Sequence, residues 1–128
     1  MLYDHVDLRV RDLKKAAAFY NALLPAMGFS QVSEDPESVC YYRPGEERSA
    51  AFLGLVADPG HRPNETRIAF RASDRAEVDR LAEAARSAGA RAFEPPHICE
   101  EYTPLYYAAF FEDGDGNKLE ICYREMPR

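Results

Sequence analysis

Tryptophan is absent from this 128-residue chain, cysteine occurs only three times, and no stretch approaches the roughly 20 consecutive apolar residues that a membrane helix needs. Cys40, Cys99 and Cys122 are odd in number and far apart, without the close pairing of a zinc site or redox dithiol. Reduced, partly buried thiols of a cytosolic protein are the plain reading. Net positive charge is lacking too: 16 Lys and Arg stand against 22 Asp and Glu, a formal charge of -6. That balance gives no electrostatic reason to approach nucleic acid or an anionic membrane, and leaves small molecules and protein partners. The N-terminal stretch MLYDHVDLRV has no apolar core behind a basic start, which predicts an unexported, cytoplasmic protein. What is present is a hydrophobic fraction of 46%, enough for the core of one domain spanning 1–128.

An internal repeat organises the chain. His5-Val-Asp-Leu-Arg-Val-Arg-Asp12 and Arg67-Ile-Ala-Phe-Arg-Ala-Ser-Asp74 superimpose without a gap, each an alternating strand that ends at an aspartate. Val6, Leu8 and Val10 share one face of the first strand; Ile68, Phe70 and Ala72 share the matching face of the second. Asp12 then precedes an apolar helical stripe of Leu13, Ala16, Ala17, Tyr20, Leu23, Leu24 and Met27, stopped at Gly28, with Pro25 distorting the last turn. Asp74 precedes the stripe Val78, Leu81, Ala82, Ala85 and Ala88, stopped at Gly89. Three strands follow each helix. They are expected near 29–33, 38–43 and 50–56, with a turn at Pro44-Gly45-Glu46-Glu47, and near 91–94, 105–112 and 118–124, with a turn at Asp113-Gly114-Asp115-Gly116-Asn117. Two modules, 1–56 and 67–128, are thus joined by the linker ADPGHRPNET at 57–66.

The order βαβββ-βαβββ, with HVDLRVRDLKKAAAFYNALLPAMGF at the front and FFEDGDGNKLEI at the back, closely resembles the vicinal-oxygen-chelate superfamily. That superfamily includes glyoxalase I, methylmalonyl-CoA epimerase, extradiol dioxygenases, fosfomycin-resistance enzymes and bleomycin-resistance proteins. The resemblance covers nearly the whole chain and implies an α+β fold, two modules forming an open, cup-shaped mixed sheet with helices outside. It also implies a divalent metal, Zn, Ni, Mn or Fe, with a residue of the first strand and the carboxylate of the last strand as ligands. Those positions are His5 and Glu120. Alternation agrees: if Val6, Leu8 and Val10 face the helix, His5, Asp7 and Arg9 face the cup, and Glu120, between Leu119 and Ile121, faces it with Cys122. A strand-start histidine and a solvated acid are the plain alternative.

The repeat also exposes a departure from that pattern. Arg67 stands at the position of His5, where metal-using relatives carry a second histidine. A guanidinium has no lone pair to offer, and a unit charge 4 Å away at an effective dielectric of ~20 is worth roughly 4 kcal/mol, about twice that against a dication. Gly54 stands where glyoxalase I carries another carboxylate. The metal set is therefore incomplete. Arg9, Arg67 and Arg71 instead make a basic interior suited to a carboxylate or phosphate, or else paired internally with Asp7 and Glu120. Tyr102 and one of Tyr106 or Tyr107 are candidates to meet a ligand, with core packing as the alternative. His61 and His97 read as loop histidines.

Two functions follow from the resemblance. One is a metal-assisted lyase, isomerase or dioxygenase on a small, oxygen-rich, anionic substrate, with His5 and Glu120 as ligands or Glu120 as a proton-transfer group. The other is non-catalytic capture of a small molecule, as in bleomycin-resistance proteins. A homodimer is expected, since in small members the residues that complete a cup often come from different chains.

Overall fold

The computed structural model describes residues 3–44 and 51–125, so all but Pro44 of the turn expected at 44–47 lies outside the described residues. The chain forms two compact units, Met1–Arg62 and Pro63–Arg128, and each repeats the same order of elements. The first holds β1 (His5–Val10), α1 (Leu13–Leu23) continued by a 3-10 turn at Leu24–Met27, β2 (Gln31–Asp35), β3 (Ser38–Tyr42) and β4 (Phe52–Ala57). The second holds β5 (Arg67–Arg71), α2 (Arg75–Ser87), β6 (Arg91–Ile98), β7 (Tyr106–Glu112) and β8 (Lys118–Arg124). Each sheet has four strands, in the orders β1-β4-β3-β2 and β5-β8-β7-β6, with the first two strands of each parallel and the others antiparallel. The architecture is the two-module βαβββ α+β fold that the repeat predicts.

Both helices begin as expected. Asp12 accepts a hydrogen bond from the Lys15 amide at 3.1 Å and Asp74 from the Glu77 amide at 2.7 Å, so each caps donors that a helix leaves unsatisfied. Gly28 and Gly89 end the helical segments at φ of 94° and 101°, a left-handed conformation that an L side chain resists. Pro25 lies in the 3-10 turn, where α1 tightens before it stops.

Against the first sheet, α1 buries Ala16, Phe19, Tyr20 and Leu23 over Val10, Val39, Tyr41, Leu53 and Leu55; Phe19 joins the stripe by meeting Tyr20 edge-on at 5.0 Å. In the second unit α2 buries Val78, Leu81, Ala82 and Ala85, on the side of the sheet that carries Phe111, Leu119 and Ile121. β6 runs past the expected end at residue 94 to Ile98, through Pro95 and Pro96. It can do so because it is the edge strand, where missing proline amides cost no ladder bond, and its register against β7 shifts twice. Ala92, at φ 48°, lies within the first shift.

Candidate functional site

The helix-free faces of the two sheets differ in chemistry. On the first, the register aligns His5 with Phe52, Asp7 with Gly54 and Arg9 with Val56. His5, Asp7 and Arg9 are all exposed. The His5 ring stacks on Phe52 at 4.5 Å and donates Nδ1–H to Asp4 Oδ1 at 2.7 Å. Its Nε2 is 4.0 Å from Asp7 Oδ2. A Cβ placed on Gly54 would meet Asp7 Oδ1 at 2.5 Å, so the Asp7 carboxylate fills the space above the glycine.

The second sheet aligns Arg67 with Lys118, Ala69 with Glu120 and Arg71 with Cys122. By the repeat, Ala69 matches Asp7 and Glu120 matches Gly54. Each module therefore carries one carboxylate at the same cross-strand pair, supplied by the first strand in one half and by the last strand in the other. Gly54 carries no acid of its own, and Asp7 beside it on the neighbouring strand supplies the carboxylate of that cross-strand pair.

Glu120 is 4% exposed, and one of its oxygens accepts a hydrogen bond from the Tyr106 hydroxyl. Around it lie Phe110, its partner across β7, and the apolar cluster of Cys99, Ala108, Phe110 and Cys122, against which Tyr106 packs. Burial, and then the bond to Glu120, push the Tyr106 phenol far above its ordinary range, so it stays a donor. Burial likewise raises the Cys122 thiol, while Arg71 and Arg124 pull it down. The Arg67 guanidinium lies over the Phe110 ring, 4.9 Å from its centroid. Lys118 pairs with Glu112 at 3.6 Å, whereas neither Arg67 nor Arg71 has a carboxylate partner among the described residues of its half. The internal pairing with Glu120 considered for these arginines is not formed.

Of the two adjacent tyrosines, Tyr106 shares the face of Glu120. Tyr107 points to the helix side, where its hydroxyl donates to Asp79 Oδ1 at 2.6 Å and Arg75 covers its ring at 5.3 Å. Tyr102 is 54% exposed and meets Tyr106 edge-on at 5.0 Å. His97, read as a loop residue from the sequence, is the penultimate residue of β6, on the face of Phe110, with ring centroids 6.0 Å apart. Pro95 and Pro96, taken as strand breakers, hide that the strand runs on through His97.

Two βαβββ halves, each with ionisable side chains on the helix-free face of a mixed sheet, define the class: a paired-module α+β protein. The chain belongs to the Glyoxalase/Bleomycin resistance protein/Dioxygenase superfamily, whose family model matches residues 2–121. A glyoxalase/bleomycin resistance protein from Albidiferax ferrireducens T118 is similar in structure, with a TM-score of 0.77 at 25% identity over 96% of this chain and 98% of that one. So is a glyoxalase-related enzyme from Fulvimarina pelagi, at TM-score 0.72 and 22% identity over 96% of this chain and 88% of that one. The fosfomycin resistance protein FosX from Listeria monocytogenes gives 0.69 and 18% over 98% and 95%. At those lower identities the likeness concerns the fold alone. No curated protein matches the chain.

Divalent metals are common in this superfamily, but the residues here do not fit the four-ligand set. Arg67 and Gly54 offer no donor atom, and neither His5 nor Glu120 belongs to a cluster of three ligating side chains among the described residues.

Proposed function

We propose that the helix-free face of the second sheet binds a small, oxygen-rich anion, held by Arg67 and Arg71 and bordered by Tyr102 and Tyr106, with Glu120 as its proton-transfer group. The observation that carries this reading is the combination of a buried carboxylate, Glu120, with a guanidinium, Arg67, that has no acid partner among the described residues of its half and rests on Phe110. Arginine pairs bidentately with carboxylate or phosphate, and an adjacent apolar wall raises the strength of that pairing. Glu120 accepts a proton from the position next to the ligand's oxygens, and the arginines balance the charge that builds there. Tyr106 holds the carboxylate in one orientation through its hydroxyl. On the first sheet, His5 and Arg9 are proposed to meet ligand in the same manner, and the working form is proposed to be a homodimer.

A second reading is binding without turnover, favoured by the non-ligating residues at positions 54 and 67. One experiment separates the two. The protein is screened by thermal-shift fluorimetry against 2-oxo acids, 2-hydroxy acids, catechol carboxylates and phosphonates, and compounds that stabilise it are followed by NMR for turnover. Anion binding requires a stabilising compound whose affinity falls at least tenfold in Arg67→Ala. Turnover lost in Glu120→Gln with binding retained supports catalysis; no turnover in the parent protein supports capture. Binding unchanged in Arg67→Ala refutes both.

A further inference from the structure

We propose that His97, Cys99 and Glu101 form a binding site for a borderline-soft divalent cation of the zinc type, distinct from His5 and Glu120. These side chains are the one group of three or more His, Cys, Asp or Glu donors that come together among the described residues, with their ligand atoms all within 4.8 Å of one another. His97 is among the last residues of β6, which ends at Ile98, and the chain then turns at Cys99, whose carbonyl accepts from the amides of Tyr102 and Thr103; that turn brings Glu101 back beside His97 and Cys99.

The histidine is already set for coordination. Its Nδ1 lies 2.9 Å from the Pro95 carbonyl, which can only accept, so Nδ1 carries the proton and Nε2 keeps its lone pair. A backbone carbonyl holding the far nitrogen in this way is the usual outer partner of a metal-ligating imidazole. That Nε2 lies 3.7 Å from the Cys99 sulfur. Tetrahedral zinc, with bonds of about 2.3 Å to sulfur and about 2.0 Å to nitrogen, separates the two donors by about 3.6 Å, so the pair needs almost no movement to admit the ion.

The surroundings favour a cation as well. Cys99 is fully buried, while His97 and Glu101 are exposed, so the ion enters from solvent and meets the sulfur on its inner side. Glu94, Glu101 and Glu120 all bear on the Cys99 sulfur with negative charge. On coordination Cys99 loses its S–H proton to solvent and binds as thiolate, which leaves a three-ligand site with the fourth position open to water or a ligand oxygen. None of the three residues is Arg67 or Glu120, so this site stands or falls apart from anion binding on the same sheet.

Cobalt(II) chloride titrated into chelator-treated protein tests the site, because a thiolate ligand gives a near-ultraviolet sulfur-to-cobalt charge-transfer band. The expected result is a band that saturates at one equivalent, is displaced by zinc chloride, is abolished in Cys99→Ser, and persists in Cys122→Ser and His5→Ala. His97→Gln, an exposed substitution that leaves the core intact, should weaken cobalt binding at least tenfold, and it decides the matter if Cys99→Ser does not fold. Absence of the band in the parent protein, its persistence in Cys99→Ser, or unchanged affinity in His97→Gln overturns the proposal.

Discussion

Replacing Tyr106 by phenylalanine removes the hydroxyl that donates to Glu120 and strands a carboxylate that is only 4% exposed. A hydrogen bond to a charged group contributes roughly 1.5–3 kcal/mol, and leaving a buried charge without its donor tends toward the upper end of that range. The nearest surroundings, Phe110, Ala108 and Cys122, offer little replacement. Tyr106→Phe should therefore cost about 2–3 kcal/mol. Glu120→Gln keeps an oxygen acceptor for the phenol, and its cost should be nearer 1 kcal/mol. Glu120→Leu alone leaves the phenol without its acceptor, whereas Tyr106→Phe with Glu120→Leu leaves nothing unpaired, so the double variant should lose at least about 1 kcal/mol less than the Tyr106→Phe and Glu120→Leu losses added together. Urea unfolding at neutral pH followed by circular dichroism measures each corner of that cycle. A loss below about 0.5 kcal/mol in Tyr106→Phe, or strictly additive effects, would show that the phenol and the acid do not depend on each other.

Further perturbations bear on other parts of the structure. Burial, with a smaller contribution from Glu34, raises the Tyr41 phenol from an ordinary 10.0 to about 12. The folded state thus holds this proton more tightly than the unfolded chain, so the stability it contributes is complete below pH ~10 and is lost as pH rises through ~12; alkaline melting curves should flatten over that window in Tyr41→Phe. Arg67→His, made in a Cys99→Ser background to silence the other metal candidate, supplies an imidazole and removes an opposing charge. Calorimetry should then show zinc or nickel affinity raised at least tenfold, about 1.4 kcal/mol. Gly54→Glu should cost no more than about 1 kcal/mol alone, because the exposed Asp7 carboxylate can swing away from the new side chain but then faces a like charge, and less still when Asp7→Ala vacates the space, as measured by paired unfolding curves.

The repeat made most of the fold legible. Strand alternation from His5 and from Arg67, capped by Asp12 and Asp74 and stopped by Gly28 and Gly89, specifies each half through local chemistry that needs no tertiary contact to be read. What sequence order obscured was pairing between strands. Asp7 and Gly54 read as unrelated until the parallel register of β1 and β4 sets them side by side, and only then does the exchange with Ala69 and Glu120 become visible. Arg67 and Arg71 could be placed on a face by alternation, but whether an acid among the described residues of their half reaches them depends on side-chain geometry, which alternation does not carry. Tyr106 and Tyr107 were separable only by register, since adjacent strand residues face opposite ways and the sequence does not say which. Pro95 and Pro96 masked the extension of β6, and with it the convergence of His97, Cys99 and Glu101.

Anion binding on the second sheet is tested most directly by amide NMR during titration with a stabilising anion from the fluorimetric screen. Binding at Arg67 and Arg71 requires shifts concentrated in Arg67–Arg71, Tyr106–Phe110 and Lys118–Cys122, which disappear in Arg67→Ala. Shifts confined to α2 or to the first unit, or left intact in Arg67→Ala, would contradict it.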